Sequence, residues 1–413
     1  MPARPALTGV LASAAWLALA CVTAHGQALD VPSHLSFDAA LTYATSHNRA
    51  VEAARRGRAI REANIRAAAQ RPNPELGGEA TRDTPHQSLT FGLPIEIGSQ
   101  RRRRIDVARE ELSLADVDVQ ASLAAMRRQV RESFYGVLAA DQQVQNAEAV
   151  RDIAVRLRDA TQARFEAGAV PRLDVMQATL GVSRAEADLD LARSTRLAAQ
   201  AALNAVLDLP PQQQITLAGS LDDHTNTPPF DTTLDAALST NTELVGLDRE
   251  IAVEGRRLEL LRAQRTPVPV FSAGALFNAP GEFSVAPSAS FSVGIPLFSR
   301  NQGEIAASLA TAAQLRGARD AARRRVENAV WAAQQQVDTA RRRVATFRRE
   351  LLPVATELES LSEESYQAGR TSVLGVLDSQ RNLRDISRDA VQALLDLHLA
   401  LAELEELRGS PLP

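Results

Sequence analysis

The side chains able to bind metal ions or to carry out acid–base chemistry are few and widely separated in this sequence. A soft-metal site built from one segment needs His and Cys at short, regular spacings, and the single cysteine, Cys21, has no such neighbour. Nucleophile elbows, His-Glu-x-x-His sequences and glycine-rich phosphate loops are also missing. We therefore expect no catalytic residue, no cofactor and no metal site. The isolated histidines beyond the N-terminal segment are His34, His47, His86, His224 and His398.

The N-terminal segment has the composition of a secretory signal peptide. Arg4 precedes an apolar run, 7–19, that is too short to cross a bilayer as a helix. The small-x-small sequence Ala-His-Gly at 24–26 gives a cleavage site, so we expect residues 1–26 to be removed. Cys21 is expected to leave with this segment; a lipoprotein signal, in which it would be acylated, is the alternative.

The overall composition favours long helices over one large globular core. All 46 basic residues are arginines, and with 50 acidic residues the net charge is -4. A slightly acidic chain argues against nucleic acid as a partner. Beyond the signal there is no run of about 18 apolar residues, so no helical membrane span is expected. Aromatic residues make up only 4%, and Ala, Leu, Val, Arg, Glu and Gln dominate, as in helices packed through small side chains.

The sequence contains one plan twice. A single shift aligns the turn Phe165–Gly168, FEAG, with Tyr366–Gly369, YQAG, and a similar shift aligns FDAALTYATSHN at 37–48 with FDTTLDAALSTN at 230–241. Repeats on this scale set the architecture of a chain. The segment between the copies is rich in Pro, Gly and polar residues, as linkers are. We divide the chain into a signal peptide, 1–26, a first repeat, 33–210, a linker, 211–227, and a second repeat, 228–409.

Each repeat is predicted to form a helix, a pair of strands, a very long helix, a tight turn and a final helix. The first helices are expected over Ser36–Gln70 and Asp231–Gln264, because each segment ends ahead of prolines. The stretch Arg101–Phe165 contains no proline. At ~1.5 Å per residue it predicts a helix of about 95 Å, far longer than an ordinary globular helix.

The long helices also carry coiled-coil seams. In the second repeat, apolar residues recur at alternating steps of four and three, which predicts a left-handed coiled coil. Pro353 interrupts this helix and predicts a kink. The second-repeat seam is Val326, Val330, Ala333, Val337, Ala340, Val344, Phe347 and Leu351. The first repeat echoes it at Val119, Leu123, Met126, Val130, Phe134 and Val137.

The segments between the helices have the alternation of strands with two different faces. Each of the four can supply about ten extended residues, enough for one tilted β-strand to cross a bilayer. Spanning strands must close into a barrel, and known barrels need at least ~8 strands, so four per chain would require an oligomer. A short hairpin packed on helices is the alternative. The segments are NPELGGEATRD, SLTFGLPIEI, VPVFSAGALFN and FSVAPSASFSVGIPLF.

These features resemble the outer-membrane factors of the TolC type across the whole chain beyond the signal. The aromatic-x-Ala-Gly turns are specific to that plan, and the junctions LPIEIGSQRRRRIDVA, 93–108, and IPLFSRNQGEIAAS, 295–308, are most similar to the cobalt-zinc-cadmium branch. The resemblance implies a mostly α fold with a small membrane β-barrel. It also implies a homotrimer with a 12-stranded barrel in outer-membrane lipid and a 12-helix periplasmic α-barrel. The implied partners are a periplasmic adaptor and an inner-membrane, proton-driven pump of the RND type.

The resemblance further implies that the two turns form the periplasmic tips and that acids after them narrow the mouth. The family pattern Leu-Asp-Val-x-Asp is divided between the repeats, which keep Asp174 and Asp378 respectively. Asp378 is the candidate constriction. A Tyr366–Asp174 hydrogen bond is the candidate latch, and Arg370 lies one residue from the family's latch arginine. The alternative is that Asp174 is only a favourable first-turn acid.

The same turns are the expected docking place for the adaptor. Glycine in each turn is expected to adopt the left-handed conformation that ends a long helix, and proline to pre-set the first turn of the next one. The docking candidates are Gly168, Pro171, Leu173, Gly369 and Leu374.

The predicted function is that of a passive efflux conduit for heavy-metal cations. A multidrug efflux channel or a type I secretion channel would share this architecture. From a different class, a periplasmic coiled-coil structural protein would also account for the signal and the helices.

Overall fold

The structure, a computed structural model, describes residues 34–223 and 226–412, and within them the chain is mostly helical with two small sheets. The predicted signal peptide, with Cys21, and His224 lie outside the described residues. In chain order the elements are β1 (His34–Ser36), α1 (Phe37–His47), α2 (Arg49–Ala68), β2 (Glu75–Ala80), β3 (Gln87–Pro94), α3 (Gln100–Glu166), α4 (Arg172–Val206), β4 (Thr216–Ala218), α5 (Phe230–Thr240), α6 (Thr242–Ala263), β5 (Val270–Ala279), β6 (Phe283–Ser292), α7 (Gln302–Thr346), a π turn (Phe347–Leu351), α8 (Leu352–Gln367) and α9 (Val373–Arg408).

The first helix of each repeat is divided in two, so the prediction of single helices over 36–70 and 231–264 was wrong. Asn48 and Asn241 are the dividing residues, and their side-chain oxygens accept hydrogen bonds from two backbone N–H groups of the helix that follows. Each therefore ends one helix and caps the next. Their amide nitrogens donate to the carbonyls of Val206, at 3.0 Å, and Leu407, at 2.9 Å. Both breaks are thus fixed to the last helix of the same repeat.

Helix α3 confirms the very long helix expected in the first repeat. It has 67 residues and is therefore about 100 Å long. It packs against α4, its partner across the tight turn, and against α9 from the second repeat. The buried residues Met126, Val130, Phe134 and Val137 form the seam predicted for this helix. Helix α3 is the element that joins the two repeats along most of the molecule.

The coiled-coil seam of the second repeat is confirmed as far as Val344. Val326, Val330 and Val337 are at most 3% exposed, whereas Leu351 is 38% exposed. The change follows from the π turn, in which the Leu352 N–H donates to a carbonyl five residues back. Each such turn adds a residue and rotates the following helix relative to the preceding one. The interruption expected from Pro353 therefore begins one turn ahead of the proline.

The larger sheet joins the strand pairs of the two repeats. Its order is β2-β3-β5-β6 with every pairing antiparallel, so β3 and β5 form the junction. Gly274 allows this junction, because a Cβ there would lie 2.1 Å from the Leu89 carbonyl oxygen. Strands β5 and β6 have the expected ten residues, but β2 has only six and β3 eight. Two consecutive glycines in β2 weaken that strand.

A second, two-stranded sheet was not predicted. Strand β1 pairs in parallel with β4, which lies inside the segment interpreted as a linker. Strands of three residues carry too little alternation to be recognised from sequence. The division into repeats at 33–210 and 228–409 stays a prediction.

Candidate functional site

The two tight turns adopt nearly the same conformation. Gly168 and Gly369 have φ of +74° and +73°, in the left-handed region that glycine adopts at low cost. The Gly168 N–H donates to the Phe165 carbonyl at 2.8 Å, and the Gly369 N–H donates to the Tyr366 carbonyl at 2.9 Å. Pro171 caps α4 with extended backbone, one position ahead of the first-turn place expected for it. The repeated sequence therefore encodes a repeated helix reversal.

Tyr366 ties the two turns together. It is 2% exposed, its hydroxyl lies 2.8 Å from the Thr161 hydroxyl, and the Arg164 guanidinium lies 4.7 Å from its ring centroid. Arg164 also donates a short hydrogen bond to the Tyr366 carbonyl. The hydrogen bond predicted between Tyr366 and Asp174 is not formed within the chain, because the phenol is already engaged by α3. The apolar cluster around this contact is Leu157, Ala178, Tyr366, Val373 and Val376, with Leu377 at its edge.

Of the two acids expected at the mouth, Asp174 lies in the first turn of α4 and Asp378 in the second turn of α9. Asp174 is half-buried in the first turn of α4, where it also fits the helix-dipole alternative. The Asp378 side chain is 68% exposed, and among the residues that the structure describes it pairs only with Arg381 on its own helix, at 3.3 Å. Arg370 is exposed and forms no ion pair with any described residue. Both Asp378 and Arg370 are therefore free to face another molecule.

The leucines expected to dock the adaptor are exposed at matching places. Leu173 and Leu374 are 59% and 51% exposed, and the adjacent turn glycines are exposed as well. Their role in docking stays a prediction.

The larger sheet has two chemically different faces. Phe271 pairs with Phe291 across neighbouring strands, with ring centroids 5.0 Å apart, and both rings are about half exposed. Directly paired residues share a face. The apolar face is formed by Leu76, Leu89, Phe91, Leu93, Phe271, Ala273, Ala289 and Phe291. The opposite face carries Glu75, Glu79, Ser88, Thr90, Ser272, Ser288 and Ser290.

The repeat makes two helix interfaces equivalent, α3 with α9 and α7–α8 with α4, and only the first of these seams is formed within the chain. Helix α3 of the first repeat packs against α9 of the second, but in the described residues no comparable packing joins α7 or α8 to α4. The helices left without this partner carry large exposed apolar side chains. On α4 these are Met176, Leu180, Leu191 and Leu197, and on α8 they are Val354, Leu358 and Leu361.

His398 is a buried residue that sequence reasoning did not single out. Its ring stacks on Tyr135 with centroids 3.4 Å apart, and a ring nitrogen lies 2.9 Å from the Leu221 carbonyl oxygen. The Tyr135 hydroxyl donates to the Asp223 carbonyl at 3.2 Å, and burial raises the pKa of this phenol. The stacked His398 and Tyr135 rings therefore hold α3 and α9 against the segment between the repeats. No local sequence pattern predicts this contact.

The described residues contain no group of three or more His, Cys, Asp or Glu side chains placed to hold a metal ion. None of the helices in the described ranges has a stretch long and apolar enough to cross a membrane.

The same arrangement of long helical hairpins attached to a small sheet occurs in solved outer-membrane proteins. The fold matches that of CusC, with a TM-score of 0.76, 17% identity and coverage of 91% of this chain and 92% of that one. It also matches the outer membrane protein VceC of Vibrio cholerae, with a TM-score of 0.73, 14% identity and coverage of 91% and 96%.

The sequence itself assigns the chain to a family. The family model of the outer membrane efflux proteins matches residues 40–208 and 272–410, so the chain belongs to that family. The cobalt-zinc-cadmium resistance protein CzcC of Cupriavidus metallidurans is 29% identical over 357 residues, which cover 84% of each chain. The resemblance inferred from the turns and the strand-to-helix junctions is thereby confirmed.

Proposed function

We propose that three copies of this chain form an outer-membrane channel that carries heavy-metal cations out of the periplasm. The observation that carries the proposal is the two-faced sheet, whose strands β2 and β6 have free edges. An open edge cannot remain in lipid, because its backbone groups would have no hydrogen-bond partners. Pairing β6 of one copy with β2 of the next removes every edge, and three copies give a closed barrel of twelve strands.

The unused helix seam supports the same assembly. A neighbouring copy can place its α4 against α7 and α8, and so repeat between chains the packing that α3 and α9 make within one chain. Contacts of this head-to-tail kind close into a ring when the rotation between copies is right. The exposed Leu191 and Leu358 would then become core residues, at about 25 cal/mol for each Å² of apolar surface removed from water.

The sheet faces suit a water-filled passage. With Phe91, Phe271 and Phe291 towards lipid, the serine and threonine face lines the lumen. The only charged residues of β2, β3, β5 and β6 are Glu75 and Glu79, both on that face. Such a wall offers hydroxyl groups and negative charge but no selective metal site. The channel is therefore a passive path, and ion selection belongs to its partners.

The proposed substrate and partners are inferred from the similarity of this chain to CzcC. CzcC is a cobalt-zinc-cadmium resistance protein. We extend to this chain a heavy-metal substrate, a periplasmic adaptor seated on the exposed turn residues, and an inner-membrane RND pump that supplies the energy. Multidrug efflux or type I secretion is the second candidate, since it needs the same architecture. A coiled-coil scaffold is disfavoured because it leaves the apolar sheet face unexplained.

The mouth of the tunnel is proposed to lie at the turns. Asp378 and Asp174 would line the narrowest ring, with Arg370 and Tyr366 at the same level. Asp378→Ala should raise single-channel conductance in planar bilayers, because three carboxylates leave the constriction. Asp320→Ala, an exposed acid in the middle of α7, serves as the control. Equal conductance of the two variants would exclude Asp378 from the constriction.

The substrate is tested by deleting the gene and measuring growth on Co, Zn and Cd salts, on dyes and on antibiotics. Sensitivity to metals alone supports metal efflux, and sensitivity to dyes and antibiotics alone supports the second candidate.

Complementation with Leu361→Asp tests the seam, because this charge would be buried between copies. Ser360→Asp introduces the same charge one position away on an exposed polar site. Only Leu361→Asp should abolish the heat-modifiable trimer and fail to restore growth.

A further inference from the structure

The apolar face of the larger sheet continues past the ends of its strands into the segments that lead to the helices. The Ile95 N–H donates to the Pro269 carbonyl at 2.8 Å, so β3 and β5 stay paired one residue beyond their ladder. Ile95 therefore lies on the same face as Leu93 and Phe91. The strand–helix junctions are residues 69–74, 95–99, 264–269 and 293–301. Their large exposed apolar side chains include Ile95, Ile97, Val293, Ile295, Leu297 and Phe298.

Two arginines hold the loop that carries the most exposed of these side chains, Phe298, which is 92% exposed. The Arg300 Nε–H donates to the Pro296 carbonyl at 3.0 Å, and the Arg265 Nε–H donates to the Arg300 carbonyl at 3.0 Å. Both arginine side chains are exposed, and neither forms an ion pair with any residue that the structure describes. The terminal N–H groups of two guanidiniums thus lie beside an exposed apolar loop.

The charges of the junctions are almost all positive. Glu96 is the only acid in their sequence. Arg104 neutralises it through both terminal guanidinium nitrogens, and the Glu96 side chain is only 10% exposed. The loops at the opposite end of the sheet, 81–86 and 280–282, carry one arginine and two acids. The positive charge is therefore confined to the end of the sheet that faces the helices.

The exposed arginines at this end outnumber the exposed acids. Glu75 begins β2 on the hydroxyl-bearing face, opposite the apolar side chains, and Glu304 lies in the first turn of α7. The exposed arginines that form no ion pair within the described part of the chain are Arg71, Arg101, Arg102, Arg265 and Arg300. Together with the apolar side chains they form the junction surface, which is both apolar and basic.

We propose that the junction surface binds anionic glycerophospholipid. Apolar side chains next to arginines are typical of segments that lie at a membrane surface, with the apolar groups at the acyl boundary and the cations among the headgroups. A guanidinium can donate two parallel hydrogen bonds to one phosphate. Arg265 and Arg300 hold the phosphate in this way while Phe298 enters the acyl region. The inference rests on the proposed channel, which places these junctions at the membrane surface, and it adds the class of lipid.

Quenching of tryptophan fluorescence by brominated lipids tests this surface, because bromine quenches a tryptophan that contacts lipid. The reporter protein is the full-length chain with Phe298→Trp and Trp331→Phe, which leaves one tryptophan beyond the predicted signal peptide. It is reconstituted into phosphatidylcholine vesicles that contain either brominated phosphatidylglycerol or brominated phosphatidylcholine. The unaltered protein is the positional control, because Trp331 lies about 44 Å along α7 from Gln302 and should not be quenched.

The reporter should be quenched by both lipids, with brominated phosphatidylglycerol associating about fivefold more strongly, the factor for one arginine at an anionic surface. Adding Arg265→Gln and Arg300→Gln should reduce this preference to less than about twofold. Arg82→Gln removes an exposed arginine at the opposite end of the sheet and should leave the preference unchanged. Salt tests the intact surface if the double variant does not reconstitute. At 1 M NaCl, where the screening length is about 3 Å, the preference should also fall below about twofold.

Three results would overturn the inference. Quenching by neither lipid would mean that a second copy of the chain covers Phe298, and equal quenching by both would mean that the lipid contact is unselective. A preference that survives the double variant or 1 M salt would mean that the arginines do not cause it. Conductance of the same reporter protein in planar bilayers separates these results from failure of the proposed function, because a protein that fails as a channel conducts nothing.

Discussion

Glu405→Gln should destabilise the protein far more than an equivalent change at the surface. Glu405 on α9 lies 3.0 Å from Arg131 on α3, and their side chains are only 10% and 7% exposed. The variant keeps the shape of the side chain but removes its charge. Arg131 would then remain as a buried cation, over the Phe37 ring but without a counter-ion.

The expected cost follows from the burial of the pair. Leaving one charge of a buried pair without its partner typically costs about 3–5 kcal/mol. At about 2 °C per kcal/mol for a large chain, the melting temperature should fall by roughly 6–10 °C. Glu148→Gln is the matched control, because Glu148 pairs with Arg193 at 3.1 Å while their side chains are 43% and 54% exposed. A pair so open to solvent contributes little, so no measurable change is expected there.

Thermal unfolding of the purified protein, followed by helix circular dichroism, compares the two variants directly. Equal melting temperatures for Glu405→Gln and Glu148→Gln would refute the argument from burial. A third variant, Arg131→Met with Glu405→Leu, should recover most of the lost stability, because apolar residues of similar volume often replace a buried ion pair without loss.

Three further predictions concern single side chains. Gly274→Ala should prevent assembly of the proposed heat-modifiable trimer, since its Cβ would lie 2.1 Å from the Leu89 carbonyl oxygen; Gly317→Ala, with open space around it, should stabilise α7 by up to ~1 kcal/mol. Asn241→Ala should lower stability by about 1–2 kcal/mol, measured by thermal unfolding, through loss of a helix cap. Burial raises the pKa of the Glu359 carboxyl above 4.5, so the folded protein favours the protonated form and loses stability as the pH rises through that pKa. Glu359→Gln stays neutral at every pH. It should therefore melt at a higher temperature than the unaltered protein at pH 7 but not at pH 4.

The sequence predicts those parts of the fold that depend on local pattern. Left-handed glycines at 168 and 369 were expected because each follows a long helical stretch and recurs in the repeat. The seam through Val330 and Val337 follows from heptad spacing alone. The sheet faces follow from period-two alternation, as in Ser290-Phe291-Ser292. In each case the signal lies within a few residues.

The parts that failed depend on distant partners. Asn48 interrupts a helix because its side chain has both the next helix and the Val206 carbonyl to bind, and only the first of these can be read locally. The contact between the hydroxyls of Tyr366 and Thr161 was not predicted either, because no motif distinguishes Thr161. A buried hydroxyl bonds to the partner that packing brings near it. The packing between two hairpins cannot be predicted from the local sequence of either hairpin.

The junction between β3 and β5 also orders the assembly of the sheet in time. Its register runs from Gln87 opposite Phe277 to Pro94 opposite Val270, so it unites the two halves of the chain. Hairpins and the α3–α4 pair are local and can form early, whereas contacts between residues so far apart form late and slowly. The edge of β3 that pairs with β5 therefore stays without its partner until the second half of the chain is present. A product truncated between the repeats would present this unpaired, aggregation-prone strand edge.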